Sequence, residues 1–146
     1  MPPYIAKSKT DSYSTPTDLY KRLDDEFNFD DFDPCPLNDK PTFDGLKIDW
    51  KPSTFVNPPY SRLQSTKKYG IGWVEKAHLE CLKGNLVVML IPSRTDTKWF
   101  HEIIQRHSYE IRFLKGRLKF SNLKTAAPFP SMIVIFKPHS LVANRR

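Results

Sequence analysis

The sequence is short of the residues that mark several protein classes. Its 146 residues suit one domain and include two cysteines, Cys35 and Cys81, whose spacing fits neither a disulfide framework nor a CxxC metal site. The longest apolar run, LVVMLI at residues 86–91, is too short to span a bilayer and predicts a buried strand. The first ten residues lack the apolar segment of a signal peptide. We therefore expect a cytoplasmic domain with no structural metal and no membrane partner.

Charge is distributed unevenly along the chain. Residues 1–50 carry 6 basic and 11 acidic side chains, residues 51–146 carry 17 and 5, and the net charge is +7. A chain with such a basic part suits a polyanion such as nucleic acid. Lysine and arginine also keep small proteins in solution, and charge alone does not separate the two interpretations.

Hydrophobic periodicity and turn residues predict alternating helices and strands. Helices are predicted at residues 14–27, with Ser14 or Thr15 as N-cap and Pro16 in the first turn, and at residues 72–84 and 96–107. Strands are predicted at FNFDDFDPC, LKID, TFV, NLVVMLIP, YEIRFLKG, RLKFS and PSMIVIFKP. This order predicts an α/β fold whose sheet is mostly parallel, with an antiparallel C-terminal part.

The domain organisation follows from the same patterns. We expect residues 1–12 to form a flexible arm, residues 13–138 the folded domain and residues 139–146 a C-terminal tail. Ligands of parallel sheets bind where the strands end. The segments DPC and NPPY each follow a predicted strand, so a site is expected there.

The segment NPPY, residues 57–60, is a rigid group of hydrogen-bond acceptors beside an aromatic ring. Pro58 and Pro59 have no N–H groups, so their main chain offers only carbonyl oxygens, and Asn57 adds a side-chain oxygen. This arrangement suits a planar molecule with an exocyclic amine. Asn57 and the Pro58 carbonyl would accept its two N–H bonds while Tyr60 stacks on its ring. A neutral amine held in this way can attack a sulfonium methyl group, with positioning as the main help.

The NPPY segment after an apolar strand resembles the catalytic motif of the S-adenosylmethionine-dependent amino-methyltransferases that act on adenine in DNA. Further motifs stand in the order of this superfamily: STPTDLYKRL, FDPC, GLKIDW, GWVEKA, VVMLIPSRTDTKWFH, IRFLKGRLKF and PSMIVIFKP. The series covers residues 12–138 and is similar to the compact phage-type DNA N6-adenine methyltransferase family. The resemblance implies a Rossmann-like class I methyltransferase sheet, S-adenosyl-L-methionine as cofactor, DNA as partner, and a bacteriophage protein in the cytoplasm of a bacterial host.

The resemblance also implies roles for particular residues. The catalytic motif would be Asn57, Pro58, Pro59 and Tyr60, with Asn57 also beside the cofactor. The methionine end of the cofactor would lie against Thr15 and Pro16, which equally suit simple helix capping, and against the turn Asp33, Pro34 and Cys35. Asn57 stands where many larger adenine methyltransferases have aspartate, and the change conserves the acceptor oxygen.

The chain departs from the superfamily after its first predicted strand. A glycine-rich loop is common there, whereas this chain has DPCPLNDK. Asn38, Asp39 or Asp44 would hold the ribose hydroxyls, and the sequence does not choose among them. Asp49 is the candidate for the adenine amino group of the cofactor, with a solvated carboxylate as the alternative.

Basic residues follow the predicted site and the next strands. An adenine inside a duplex must be flipped out or met single-stranded, and its phosphates must be held at the mouth of the site. We expect these residues together to form a basic rim that does this, although each residue alone is better explained as solvated surface. Its members are Arg62, Lys67, Lys68, Arg94, Lys98 and Arg117.

Two other functions are compatible with these residues. NPPY also occurs in methyltransferases that act on glutamine side-chain amides of proteins, although the basic excess argues against that substrate. A non-enzymatic nucleic-acid-binding module on the same fold is the other alternative. The sequence leaves open the recognition sequence, the strand preference, the oligomeric state, the biological purpose and whether this copy is active.

Overall fold

A four-stranded mixed sheet forms the centre of the fold. The computed structural model describes residues 13–37 and 42–143, so the predicted arm at residues 1–12 lies outside the described residues. The strands are β1 (Ser53–Val56), β2 (Leu86–Pro92), β3 (Glu110–Phe113) and β4 (Ser131–Phe136), in the spatial order β1-β2-β4-β3. β1 and β2 are parallel, whereas β4 is antiparallel to both β2 and β3. The predicted α/β class and antiparallel C-terminal part are confirmed, but the sheet is mixed rather than mostly parallel.

Three of the helices lie at the predicted places, and a fourth was not predicted. They are α1 (Thr17–Phe27), α2 (Trp73–Leu82), α3 at residues 98–107 and the short α4 (His139–Ala143), which lies within the predicted tail. The middle of α3, Phe100–Ile104, is π-helical, and a short 3₁₀ turn occupies Tyr60–Arg62. None of the helices in the described ranges is both long and apolar enough to cross a membrane.

The core lies around the two central strands. Every residue of β2 and β4 is buried, which agrees with their continuous apolar sequences. Helix α2 packs on both strands through its buried residues Trp73, Val74 and Ala77. Leu82, at the end of the helix, is 69% exposed.

The strand predicted at FNFDDFDPC does not form, and side chains explain why. Asn28 ends α1 in the left-handed region, at φ 51°. The Asp30 N–H donates to Ser53 O at 2.8 Å, but the Ser53 N–H donates to the Asp30 carboxylate at 2.8 Å. A carboxylate therefore replaces the carbonyl that would continue the ladder, and within the described residues a single backbone–backbone hydrogen bond joins the segment to β1. This loss of a strand beside β1 removes a parallel pairing from the predicted sheet.

Two further predicted strands, LKID and RLKFS, are loops. In the first, the Ile48 carbonyl accepts from Lys76 Nζ at 2.7 Å. In the second, Leu118 O accepts from Ala127 N and Ser121 N donates to Ser14 O, at 2.8 and 2.9 Å. Local partners thus satisfy these backbone groups, and no neighbouring strand is needed.

The parallel pair brings three chain segments to one edge of the sheet. β1 ends at Val56 and β2 at Pro92, where β4 begins because Ser131 pairs with Pro92. Asn57, Arg94 and Phe129 therefore leave or enter the sheet at this edge, and Ser93 N donates to Pro130 O at 2.9 Å. The predicted site segment NPPY lies there, at what we call the carboxyl edge.

Candidate active site at the carboxyl edge of the sheet

Asn57 is held by hydrogen bonds at both ends of its side-chain amide. Its Nδ2 donates to Tyr13 O at 2.5 Å and to Thr15 Oγ1 at 3.0 Å. Its Oδ1 accepts from the Tyr60 hydroxyl at 2.7 Å. Since the Tyr13 carbonyl can only accept, the amide orientation is fixed, and Oδ1 keeps a second lone pair for another donor.

The start of α1 contributes to the site through Thr15 rather than through a cap. Pro16 occupies the N-cap position, without a side-chain capping bond, so the predicted Ser14 or Thr15 cap is wrong. The Thr15 hydroxyl is instead an acceptor for Asn57. Thr15 is therefore in direct contact with Asn57, and Pro16 follows it at the start of α1.

Pro58 and Pro59 shape the main chain between Asn57 and Tyr60. Pro58 is buried, and Pro59 O accepts from Arg62 N at 3.1 Å in the 3₁₀ turn. Within the described part of the chain, no donor lies within hydrogen-bonding distance of the Pro58 carbonyl. That carbonyl and Asn57 Oδ1 are therefore acceptors on neighbouring residues, as predicted from the sequence.

Tyr60 lies in an aromatic cluster of four rings. It is 9% exposed, and its hydroxyl also donates to Leu90 O at 3.3 Å. Tyr13 stacks on it with ring centroids 5.0 Å apart at 18°, and Phe129 meets it edge-on at 5.7 Å. Phe120, which is fully buried, lies 4.8 Å from Tyr13. One face of the Tyr60 ring, on which we predicted a substrate to stack, thus carries Tyr13.

A cleft beside α1 contains the predicted residue Asp33. The cleft measures about 410 Å³ and is lined by Tyr20, Asp24, Phe29, Asp30, Asp31, Phe32 and Asp33. Two of its rings border β1, since Tyr20 and Phe29 lie 5.3 and 5.5 Å from Phe55. Desolvation, followed by the charges of Asp24, Asp33 and Asp31, raises the pKa of Tyr20. The cleft is thus acidic and aromatic. Phe55, the β1 residue that its rings contact, precedes Asn57 by two residues.

The turn Asp33, Pro34 and Cys35 packs against the turn at Asp44. Asp33 Oδ1 accepts from Cys35 N at 2.9 Å, and desolvation raises the pKa of Asp33 although part of the residue faces solvent. A Cβ on Gly45 would lie 1.9 Å from Pro34 O, so only glycine permits this approach. Asp44 is therefore brought beside the Asp33 turn, whereas Asn38 and Asp39 lie outside the described residues.

Asp49, the candidate for the adenine amino group of the cofactor, lies away from Asn57. It precedes β1, its side chain is 90% exposed, and it pairs with Lys83 Nζ at 2.7 Å near the end of α2. Hydrogen bonds to Asp49 and Glu80 raise the pKa of Lys83. The structure therefore does not bring Asp49 together with Asn57, and it fits the alternative of a solvated carboxylate.

Several predicted basic residues lie near the cluster. The Arg94 guanidinium is 6.0 Å from the centre of the Phe129 ring, one ring away from Tyr60. Arg62 is half-buried in the 3₁₀ turn, and Lys98 lines a small cavity with Gln64 and Ser65. The others, all exposed, are Lys67, Lys68 and Arg117. Arg62, Lys67, Lys68, Arg94 and Lys98 thus lie on segments that leave the carboxyl edge.

Sequence reasoning missed three members of the site: Tyr13, Phe120 and Phe129. No periodic pattern marks them, because they lie in loops far apart in the chain and meet only in the folded protein. Tyr13 stood at the predicted start of the domain without a role. Among the described residues, no group of histidine, cysteine, aspartate and glutamate side chains is placed to hold a metal ion.

Fold and site define a mixed α/β protein with an NPPY motif at the carboxyl edge of its parallel strands. In a comparison with protein families, residues 4–144 match the family described as DNA N-6-adenine-methyltransferase (Dam). The chain therefore belongs to this family, which confirms the resemblance seen in its motifs. No curated protein and no solved structure gives a significant match.

Proposed function

We propose that this protein transfers a methyl group from S-adenosyl-L-methionine to the N6 amino group of adenine in DNA. The observation that carries the proposal is the side chain of Asn57, fixed at the end of β1 with an acceptor oxygen beside the Pro58 carbonyl. The family match, to a family described by this activity, supports the same reaction. A Rossmann-like class I methyltransferase sheet is part of the proposal.

Each of the two acceptor oxygens binds a different hydrogen of the substrate amine. Asn57 Oδ1 and Pro58 O accept the two N–H bonds of the adenine amine, which leaves the nitrogen lone pair directed out of the plane. The bonds from Asn57 Nδ2 to Tyr13 O and Thr15 Oγ1 keep the amide from rotating. Preorganisation of this kind, rather than a strong base, supplies the rate enhancement.

The acidic cleft beside α1 suits the cofactor. S-adenosyl-L-methionine would supply an activated methyl group on a cationic sulfonium. The aspartates of the cleft favour a cation, Tyr20 and Phe29 offer ring faces, and about 410 Å³ is in the range of small-molecule sites. Of the three ribose candidates, we favour Asp44, since Gly45 packs its turn against Pro34. Thr15, Pro16, Asp33, Pro34 and Cys35 remain the other proposed cofactor residues.

The substrate base needs the ring face of Tyr60. Tyr13 stacks on one face of that ring at 5.0 Å, so an adenine that binds on this face requires the Tyr13 ring to move. The displaced base comes either from a flipped nucleotide or from a single strand. The basic residues of the carboxyl edge hold the phosphates, and the protein acts in the cytoplasm of a bacterial host.

The first test measures the product directly. We would incubate DNA with purified protein and labelled S-adenosyl-L-methionine, then analyse the nucleosides by mass spectrometry. We expect label in N6-methyladenine and a loss of about 100-fold or more in rate for Asn57→Ala. Gln105→Ala, which removes an exposed amide on α3, is the matched control and should keep full activity.

Protein and RNA acceptors are assayed in parallel with DNA. Label in a glutamine amide or in RNA, with none in DNA, would contradict the proposed substrate. DNA binding without any cofactor binding would contradict the reaction itself and leave a nucleic-acid-binding module.

A further inference from the structure

The loop after the 3₁₀ turn is closed on itself by hydrogen bonds. Thr66 N donates to Gly70 O and Gly70 N donates to Thr66 O, both at 2.9 Å. The Thr66 hydroxyl also accepts from Tyr69 N at 3.0 Å, and Gly70 has the positive φ of 80° that the turn requires. Residues 66–70 therefore form a tight turn, whose conformation is set by its own backbone.

Tyr69 is exposed on this turn, and two cationic side chains lie over its ring. The Arg62 guanidinium is 5.1 Å and Lys68 Nζ 5.0 Å from the ring centroid. Arg62 Nη2 also donates to Tyr69 O at 3.1 Å. Tyr69 nevertheless remains 57% exposed, and none of the rings in residues 13–37 and 42–143 packs against it.

This arrangement does little for the core of the protein. A large aromatic ring stabilises a fold mainly by burial, and Tyr69 stays at the surface. The hydrogen bonds that fix the turn use main-chain atoms and Thr66, so they would survive a change of the Tyr69 side chain. The exposed part of the Tyr69 ring can therefore contact an external ligand, with the cationic groups of Arg62 and Lys68 beside it.

The position of the loop indicates which ligand. Arg62 follows Tyr60 by two residues, and its N–H donates to Pro59 O at 3.1 Å, so the loop starts inside the NPPY turn. An aromatic ring stacks on the face of any nucleobase, and nearby Lys and Arg bind the phosphates on either side of it. Both parts of a nucleotide thus have a partner in this loop.

We propose that Tyr69, with Arg62 and Lys68, is a base-stacking site for a nucleotide next to the target adenine. The proposal rests on the proposed function and extends it to a second base. When the target adenine leaves its stack, a neighbouring base loses a stacking partner. Tyr69 replaces that partner, and Arg62 and Lys68 bind the adjoining phosphates. No bond is made or broken at this site.

The test uses DNA that carries 2-aminopurine beside the target adenine. This fluorescent base is quenched when an aromatic ring stacks on it, and the oligonucleotide also reports the dissociation constant. We expect wild-type protein to quench it. Tyr69→Leu should lose the quenching and bind about tenfold more weakly, whereas Tyr69→Phe should keep both. Leu82→Ala, which trims another exposed apolar residue at the opposite edge of the sheet, should behave as wild type.

The same oligonucleotides, assayed for methylation, separate the two proposals. If the wild-type protein methylates the DNA while Tyr69→Leu keeps its quenching and affinity, the stacking site is overturned and the proposed function stands. Loss of quenching in Tyr69→Leu without methylation by any variant supports the stacking site and contradicts the function. A melting temperature of Tyr69→Leu equal to that of wild type shows that the variant is folded. An equal loss of quenching and affinity in Tyr69→Phe and Tyr69→Leu contradicts a role for the aromatic ring.

Discussion

At the scale of single residues, the site depends on the orientation of one amide group. Asn57 could present either its oxygen or its nitrogen to a substrate, and only the oxygen can accept an N–H bond. Tyr13 O and Thr15 Oγ1 select the productive orientation because both occupy the nitrogen side. We therefore propose that Thr15 is a positioning residue, which acts on the substrate through Asn57.

Thr15→Val tests this role, because valine keeps the shape of threonine and removes the hydroxyl. We expect kcat to fall about threefold to tenfold, the value of one lost hydrogen bond, with little change in KM for the cofactor. Thr15→Ser restores the acceptor and should recover most of the rate. Steady-state methylation kinetics provide the measurement. An equal loss in both variants would contradict the proposed role of the hydroxyl, because Thr15→Ser keeps it.

At the scale of elements, α2 is attached to the chain before β1 by a buried charge. The fully buried Glu80 accepts from Trp50 N at 2.9 Å, from Lys76 Nζ at 2.8 Å and from Lys83 Nζ at 2.7 Å. Desolvation acts to raise the pKa of Glu80, but these hydrogen bonds outweigh it and lower the pKa to about 2. The network holds the chain at Trp50, shortly before β1, and so helps to position the strand that ends beside Asn57.

Removal of this charge should cost stability. Glu80→Gln leaves the Lys76 ammonium buried without its anion, so we expect the free energy of unfolding to fall by about 3 kcal/mol. Glu102→Gln, on the exposed surface of α3, should change it by less than about 0.5 kcal/mol. Urea unfolding followed by circular dichroism measures both. A loss in Glu80→Gln as small as that of the control would contradict a structural role.

The difference in stability between wild type and Glu80→Gln should depend on pH, and the pKa of Glu80 gives the direction. The folded-state pKa of Glu80, about 2, lies below its ordinary value of 4.5, so the contribution to stability is complete above about pH 4.5. It is lost as the pH falls from there towards 2. The stability difference between wild type and Glu80→Gln should therefore shrink through this interval. A difference that stays constant down to pH 2 would exclude the shifted carboxylate as its cause.

What the sequence could predict depends on whether the determining contacts are local. The buried strand β2, helix α2 and the NPPY turn are determined by runs of neighbouring residues, and each lies where it was predicted. The FNFDDFDPC segment has strand-like alternation, but a contact with Ser53, far along the chain, decides its conformation. The Tyr13 stack on Tyr60 joins residues 47 positions apart, and no local pattern encodes it. The position of the NPPY turn at the end of β1 was therefore predictable, and the residues that surround it were not.

At the scale of the whole molecule, the positive charge is divided between structure and surface. Arg112 donates to both carboxylate oxygens of Glu26, at 2.7 and 2.6 Å, and to Glu110 at 2.7 Å. These hydrogen bonds lower the pKa of Glu26 and raise that of Arg112. Arg112 thus joins α1 to β3 and is committed within the protein. Arg94, by contrast, is exposed beside the aromatic cluster.

This division predicts which cations determine the salt dependence of DNA binding. Each phosphate contact releases a counterion, so Arg94→Ala should lower the slope of log affinity against log salt by about 1 and weaken binding to all sequences alike. Lys51→Ala removes an exposed cation before β1, at the opposite edge, and should leave the slope unchanged. Fluorescence anisotropy at several salt concentrations measures both. Equal effects of the two variants would mean that net charge alone attracts DNA, whereas an effect confined to Arg94 locates the DNA at the edge that carries Asn57.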